Sequence, residues 1–243
     1  MLSAQASIGY GQLITQIASE NPDRLVIYID DEPHSIGELE WSANRLARVF
    51  ISRGVRPHDI VTIPLPNSFE LLVTMLAAWK IGAVPNPIAA NMPFEEMADL
   101  INCANSALIV GVAEELFPNH KTLPKSFTPD ENISCASLPA LIEHGCERAL
   151  ASGGSTGKPK LIMPKDKAVF NSAFSSALFK PQRATLIAGP LYHAVPFSSV
   201  WQGIFNRCSV VIMPRFEAEK CLQLVQGVDC PFPRKVHCVK STL

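Results

Sequence analysis

Between Lys167 and Phe216 the chain carries no aspartate or glutamate. By simple proportion such a stretch would hold about four or five acids. Part of this absence fits a plain buried α/β core. If the stretch also lines a substrate pocket, that pocket has no carboxylate to pair with a substrate ammonium. A buried cation without a countercharge is costly, so an amino acid is disfavoured as ligand. The chain also lacks any charge-free apolar run of about 18 residues, the length a membrane span needs. Ala184 to Phe205 comes nearest and is broken by Pro190, His193 and Pro196. Charge is scarce at 18% of residues and nearly balanced at a net −1, with no Lys/Arg stripe. That argues against a nucleic-acid surface. The seven cysteines are odd in number, scattered and free of any Cys-x-x-Cys pair, the usage expected of a reducing compartment. No secretory apolar region follows Met1, and the final Lys240-Ser241-Thr242-Leu243 is not a Ser-Lys-Leu peroxisomal address, so a cytoplasmic location is expected. No internal repeat or low-complexity segment is present.

What is there is a strand–helix alternation. Ile8 to Ser19 has helical spacing and is stopped by Asn21-Pro22; Leu25 to Ile29 reads as a strand followed by a turn over Asp30 to Pro33. Ser35 and Glu38 form a capping box for a helix that runs to Gly54. Val61 to Leu65 is a buried strand, Asn67 is placed to cap the next helix, and Gly82 ends it. Pro93 opens another helix and Ala107 to Val112 is a further strand. From Phe117 to Ile142, four prolines fall among Ser, Thr, Asn and Lys, which reads as an irregular surface segment without a site. Beyond it come strands at 148–151 and 161–163, a helix over Asp166 to Phe179, a strand at 184–188, a helix over Phe197 to Asn206, a strand at 209–213 and a final helix to Gln226. This order predicts an α/β fold with a mainly parallel sheet covered by helices on both faces.

The densest chemistry lies in Ser152-Gly153-Gly154-Ser155-Thr156-Gly157-Lys158-Pro159-Lys160, between two of the short strands. Glycines leave backbone N–H groups unobstructed and free to turn toward one anion. The hydroxyls of Ser152, Ser155 and Thr156 add donors, and Lys158 and Lys160 add charge beside a polyanion. A solvated Gly/Ser turn is the bland alternative. The run is not a Walker loop, because Pro159 follows Lys158 and forbids the helix that loop requires.

This loop resembles the phosphate-binding signature of the adenylate-forming enzymes, the superfamily of acyl-CoA synthetases, aryl-CoA ligases, peptide-synthetase adenylation domains and luciferases. Trp79-Lys80-Ile81-Gly82-Ala83-Val84-Pro85-Asn86-Pro87 resembles the helix-to-strand signature upstream of that loop. Gly189-Pro190-Leu191-Tyr192-His193-Ala194-Val195-Pro196-Phe197 resembles the downstream acyl-pocket signature of the CoA-ligase branch. The three stand in the family's order, and the resemblance covers about residues 8–226. It implies an incomplete N-terminal AMP-binding (adenylation) domain over 1–226 and an irregular tail over 227–243. It also implies ATP and Mg²⁺ as cofactors and coenzyme A as co-substrate. A fatty, aryl or other carboxylic acid that is not an amino acid would be activated to an acyl-adenylate and passed to the thiol.

Phosphate contact falls by the resemblance to Ser152, Gly153, Gly154, Ser155, Thr156, Gly157, Lys158 and Lys160. His193 is placed near the reacting carboxylate, although a hydrogen-bonded core histidine fits its surroundings too. Phe197 and Trp201 read most simply as core. Cys230, His237 and Cys238 match no common zinc spacing, so no metal-ligating residue is expected. The family's later Mg²⁺, ribose and lid groups have no counterpart before Leu243. The chain as written is therefore expected to be an impaired ligase, prone to self-association through an exposed sheet edge. Two alternatives stay open: a peptide-synthetase-type adenylating module, and a non-catalytic module that keeps only a nucleotide loop.

Overall fold

The computed structural model describes residues 7–141, 143–152, 160–171, 179, 184–226 and 236–238. Its first half runs β1 (Ile8–Gly9), α1 (Tyr10–Glu20), β2 (Leu25–Ile29), β3 (Glu32–Ser35), α2 (Ile36–Ser52), β4 (Ile60–Ile63), α3 (Phe69–Lys80), β5 (Val84–Pro87), α4 (Phe94–Ala104), β6 (Leu108–Val110) and β7 (Thr122–Leu123). Then follow β8 (Leu150–Ser152), β9 (Lys160–Ile162), β10 (Val169–Phe170), β11 (Ala184–Ile187), α5 (Ala194–Phe205), β12 (Ser209–Ile212), α6 (Ala218–Gln226) and β13 (Val236–Cys238).

Two mainly parallel sheets form, with helices between and outside them. One has the order β5-β4-β6-β7, all parallel. The other has the order β13-β11-β12-β2-β3, parallel except for the β2–β3 hairpin. The period-2 alternation of side chains decides which layer each strand residue joins. On β2, Ile27 and Ile29 enter the central core, whereas Tyr28 faces the cluster that holds Leu224 of α6. On β6, Leu108 and Val110 enter the central core, whereas Ile109 packs with Met97, Leu100 and Ile101 of α4. The central core belongs to α1, α2, α3 and α5, through residues such as Ile14, Leu39, Leu72, Trp79 and Phe197. Both sheets are thus covered on both faces, the expected class.

Local chemistry explains the boundaries. Ser35 Oγ accepts the Glu38 N–H at 3.0 Å while Glu38 Oε2 accepts the Ser35 N–H at 2.6 Å, which completes the capping box of α2. Asp30 and Asp31 both take positive φ (49° and 70°), the geometry of the tight two-residue turn that suits a twisted hairpin. The turn is therefore shorter than Asp30 to Pro33, and Glu32–Ser35 become strand β3. Gly82, at φ 76°, follows the C-cap of α3 in a conformation that side-chain-bearing residues resist.

Three sequence expectations change. The cap of α3 is Ser68, whose Oγ accepts the Leu71 N–H at 3.3 Å, rather than Asn67. The helix over Asp166 to Phe179 does not begin there: Val169–Phe170 form β10 and pair antiparallel with Ile8–Gly9. A β-branched and an aromatic residue at a cross-strand position outweigh the helical periodicity. In the tail, Val236–Cys238 run parallel to Ala184–Leu186 as an outer strand, although the sequence there has no strand period.

The helical layer also holds a buried ion pair. Lys80 Nζ lies 2.8 Å from Glu40 Oε2, with the two side chains 3% and 4% exposed. The amine donates to Thr15 Oγ1 at 3.0 Å; Thr15 Oγ1 and Asn44 Nδ2 donate to Glu40 Oε1 at 2.7 and 3.0 Å. Asn44 Nδ2 also reaches Cys135 O at 2.9 Å and Arg45 Nε reaches Ile133 O at 3.2 Å. The irregular 117–142 segment is thereby tied down onto α2.

Candidate functional site

Strands β8 and β9 pair antiparallel, Leu150 with Ile162, Ala151 with Leu161 and Ser152 with Lys160. The Gly/Ser/Thr/Lys run therefore joins two adjacent strands, as the flanking apolar runs predicted. Ser152 and Lys160 close the hairpin, and Lys160 is exposed. Gly153, Gly154, Ser155, Thr156, Gly157 and Lys158 lie outside the described residues.

The base of this hairpin is held by residues from the other signature segments. Ala149 donates its N–H to Pro85 O at 2.9 Å, and Trp79 Nε1 donates to Glu147 O at 2.8 Å. Arg148 donates to Ser198 Oγ at 3.3 Å, and its guanidinium sits 5.3 Å from the centre of the Phe197 ring. Segment 79–87 and the start of α5 thus meet at residues 147–149, just ahead of β8, three stretches far apart in sequence. Glu147 Oε2 pairs with Arg148 Nη1 at 2.5 Å, and its other oxygen accepts from the Tyr10 hydroxyl at 3.4 Å. Burial pushes the Glu147 carboxyl above its ordinary range despite the adjacent guanidinium. Burial, followed by the Glu147 charge, pushes the Tyr10 phenol upward. The Cys146 thiol donates to Pro164 O at 2.9 Å and burial raises its pKa, so it behaves as structure rather than as a nucleophile.

The third signature lies between β11 and α5. Leu191 is buried, Tyr192 half-buried and His193 exposed at the N-cap of α5, its ring 4.6 Å from that of Tyr192. His193 is therefore presented outward rather than enclosed as a core histidine. Phe197 and Trp201 are core: both are buried and both pack on Trp79, at 5.9 and 4.6 Å between ring centres. Asn67, the residue that does not cap α3, instead reaches this segment. Its Nδ2 donates to Gly189 O and Met213 O, both at 3.0 Å, and its Oδ1 accepts the Leu191 N–H at 2.9 Å. Sequence reasoning missed this role. The available signal was an amide side chain just past a buried parallel strand, where α/β sheets place their functional loops.

Among the described residues no group of three His, Cys, Asp or Glu is placed to hold a metal ion. Among the described residues no helix is long and apolar enough to cross a membrane.

Comparison with known proteins bears on the family and the fold. The sequence pattern of the AMP-binding enzymes matches residues 14–146. Tyrocidine synthase 2 of Brevibacillus parabrevis is 28% identical over 171 residues, covering 66% of this chain and 5% of its own length. A dimodular nonribosomal peptide synthase of Bacillus subtilis is 30% identical over 161 residues, covering 60% of this chain and 7% of its own length. The chain thus spans a small fraction of the curated relatives it matches. Among solved structures, the N-terminal subdomain of Klebsiella oxytoca NpsA with 3-hydroxybenzoyl-AMSN superposes with TM-score 0.73 at 20% identity, over 93% of this chain and 60% of that one. The o-succinylbenzoate CoA synthetase MenE of Bacillus subtilis, with its acyl-adenylate OSB-AMP, gives 0.75 at 18% identity over 98% and 70%.

Proposed function

The chain belongs to the AMP-binding enzymes, and on that premise we propose that it carries the phosphate-gripping and acid-facing part of a unit that activates a carboxylic acid with ATP. The observation that carries this reading is the meeting at residues 147–149 of the 79–87 segment and the start of α5, directly ahead of β8, the strand from which the 152–160 run departs. A donor-rich run between two paired strands of an α/β frame suits charge stabilisation more than nucleophilic chemistry. In the proposed reaction a carboxylate oxygen attacks the α-phosphorus of ATP, the α–β bridge bond breaks, and pyrophosphate leaves. Gly153, Gly154, Ser155, Thr156, Gly157 and Lys158, with Ser152 and Lys160 at the hairpin ends, neutralise the departing charge; a Mg²⁺ ion bound with the nucleotide would add further charge stabilisation there. His193, presented at the start of α5, faces the acid. A thiol then displaces AMP, and coenzyme A is the acceptor proposed here.

The acid proposed is aryl, fatty or another carboxylic acid without an ammonium group, because 167–216 offers no carboxylate to pair with one. A second reading has its own support: the curated relatives are peptide synthetases, which favours an amino acid substrate and a carrier-protein thiol. ATP–pyrophosphate exchange on the whole protein, with aryl, fatty and amino acids in parallel, separates the two. Exchange driven by amino acids alone rejects the first reading. Replacing Lys158 and Thr156 together by Ala is expected to slow exchange on the order of 10²-fold or more. A rate within about twofold of the parent would remove the phosphate role, since one lost preorganised donor already costs more than that.

A further inference from the structure

We infer that α3 is a strut that sets the spacing between the acid-facing turn and the phosphate hairpin, and that Asn67 is the positioning residue at its acid-facing end. This rests on the proposed function for what the two ends do, but the contacts stand by themselves. At the N-terminal end Asn67 makes three hydrogen bonds, to Gly189 O, Met213 O and the Leu191 N–H. At the C-terminal end Trp79 Nε1 holds Glu147 O, at the base of the hairpin. Between them lies one uninterrupted helix, Phe69–Lys80, buried along most of its length. A helix rises about 1.5 Å per residue, so the rod between the two grips is about 18 Å long.

The chemistry of the Asn67 contact is specific. Two donors and one acceptor on one short side chain are what a carboxamide alone supplies among residues of that size. Aspartate keeps the shape, but offers no donor and sets a carboxylate against two carbonyl oxygens. The partners lie 122, 124 and 146 residues away, so no local turn can substitute for the contact. Within the turn, His193 donates its N–H to Pro190 O at 3.1 Å, and Phe197 donates to His193 O at 3.0 Å to begin α5. These bonds shape the turn internally, whereas Asn67 fixes where the turn sits relative to the sheet ends. Ser68, the next residue, caps α3, so Asn67 acts from a backbone that the helix already holds.

Two measurements on the purified protein test this. The first is amide hydrogen exchange at Leu191. The second is calorimetric affinity for AMP and for a benzoyl-sulfamoyl adenosine, a non-reactive acyl-adenylate mimic. Asn67→Ala removes the acceptor of the Leu191 N–H and is expected to speed exchange at Leu191 by about tenfold or more while α2 amides keep the parent rate. It is expected to weaken the mimic by about tenfold or more and AMP by no more than about twofold, because only the acid-facing end is released. Parent-like exchange at Leu191, or equal losses for AMP and the mimic, overturns the inference; a general structural defect would weaken both ligands alike. If Asn67→Ala does not fold, Asn67→Ser, whose shorter side chain cannot reach all three partners, is read by the same criteria. A parent protein that binds AMP but not the mimic defeats the acid reading proposed above, while exchange at Leu191 still decides what Asn67 holds.

Discussion

Two charged pairs sit in the interior of this molecule and are built for different ends. Glu40–Lys80 lies in the helical layer with side chains 4% and 3% exposed, and its partners Thr15 and Asn44 come from α1 and α2. Glu147–Arg148 lies at the base of the hairpin, with side chains 13% and 16% exposed, and its contacts reach Tyr10, Phe197 and Ser198. The first pair closes on itself: each charge is answered by a neighbour in the same helix packing. The second is a junction, where the salt bridge matters less than the three chain segments it draws together. In the first pair burial is the larger influence on Lys80, whose pKa falls below the ordinary value even beside Glu40. In the second, burial likewise dominates Glu147, but greater solvent access leaves its pair easier to break. Depth therefore separates a structural cluster from a joint at the base of the β8–β9 hairpin.

The largest expected effect breaks the first pair. Glu40→Ala strands the Lys80 ammonium in a dry interior and is expected to cost about 3–5 kcal/mol in denaturant unfolding. Replacing both members by methionine is expected to recover most of that loss, because two desolvated charges are removed together. If Glu40→Ala unfolds at the parent midpoint, the cluster is not what holds the helices.

A smaller effect is expected at the second pair. Glu147→Ala removes a half-buried acceptor and is expected to cost about 1–3 kcal/mol. The distinguishing sign is locality. Exchange at Ala149 and Leu150 amides should quicken while α1 and α2 amides stay protected. Uniform loss of protection across the chain would show that the junction is no more local than the helical cluster.

The smallest effect concerns pH. The Tyr10 phenol ionises at higher pH in the folded chain than in the unfolded chain, because burial and the Glu147 charge favour its neutral form. The native state then keeps a proton that the unfolded state releases, so this contribution is intact below about pH 10 and is lost as pH rises beyond it. Tyr10→Phe gives up a 3.4 Å hydrogen bond, an expected change under about 1 kcal/mol at neutral pH. It should flatten the alkaline fall in stability, as read from thermal unfolding between neutral and alkaline buffers. An unchanged alkaline slope would place the titrating group elsewhere.

Much of the frame was legible in the residues themselves. The Ser35–Glu38 box, the stop at Gly82 and the apolar strands at 25–29 and 209–213 are local features, set by neighbours within a few positions. The short strands around the 152–160 run were legible for the same reason, and with them the hairpin that carries the candidate phosphate loop. Periodicity failed where pairing is distant: Val169–Phe170 become a strand only because Ile8–Gly9 lie beside them, and Val236–Cys238 only because β11 leaves an edge to fill.

The residues alone thus determined the class of the fold, most of the order of its elements and the residue types concentrated between Ser152 and Lys160. Hydrogen-bond donors, apolar spacing and caps are properties of short windows and can be read there. Tertiary structure decided that the alternation divides into two sheets about a helical layer, and that Asn67 binds a turn more than a hundred positions away instead of capping its own helix. It also decided that three separate segments meet at Glu147–Arg148. Such contacts depend on which surfaces are buried against each other, and the desolvation that makes them selective exists only once the core has closed.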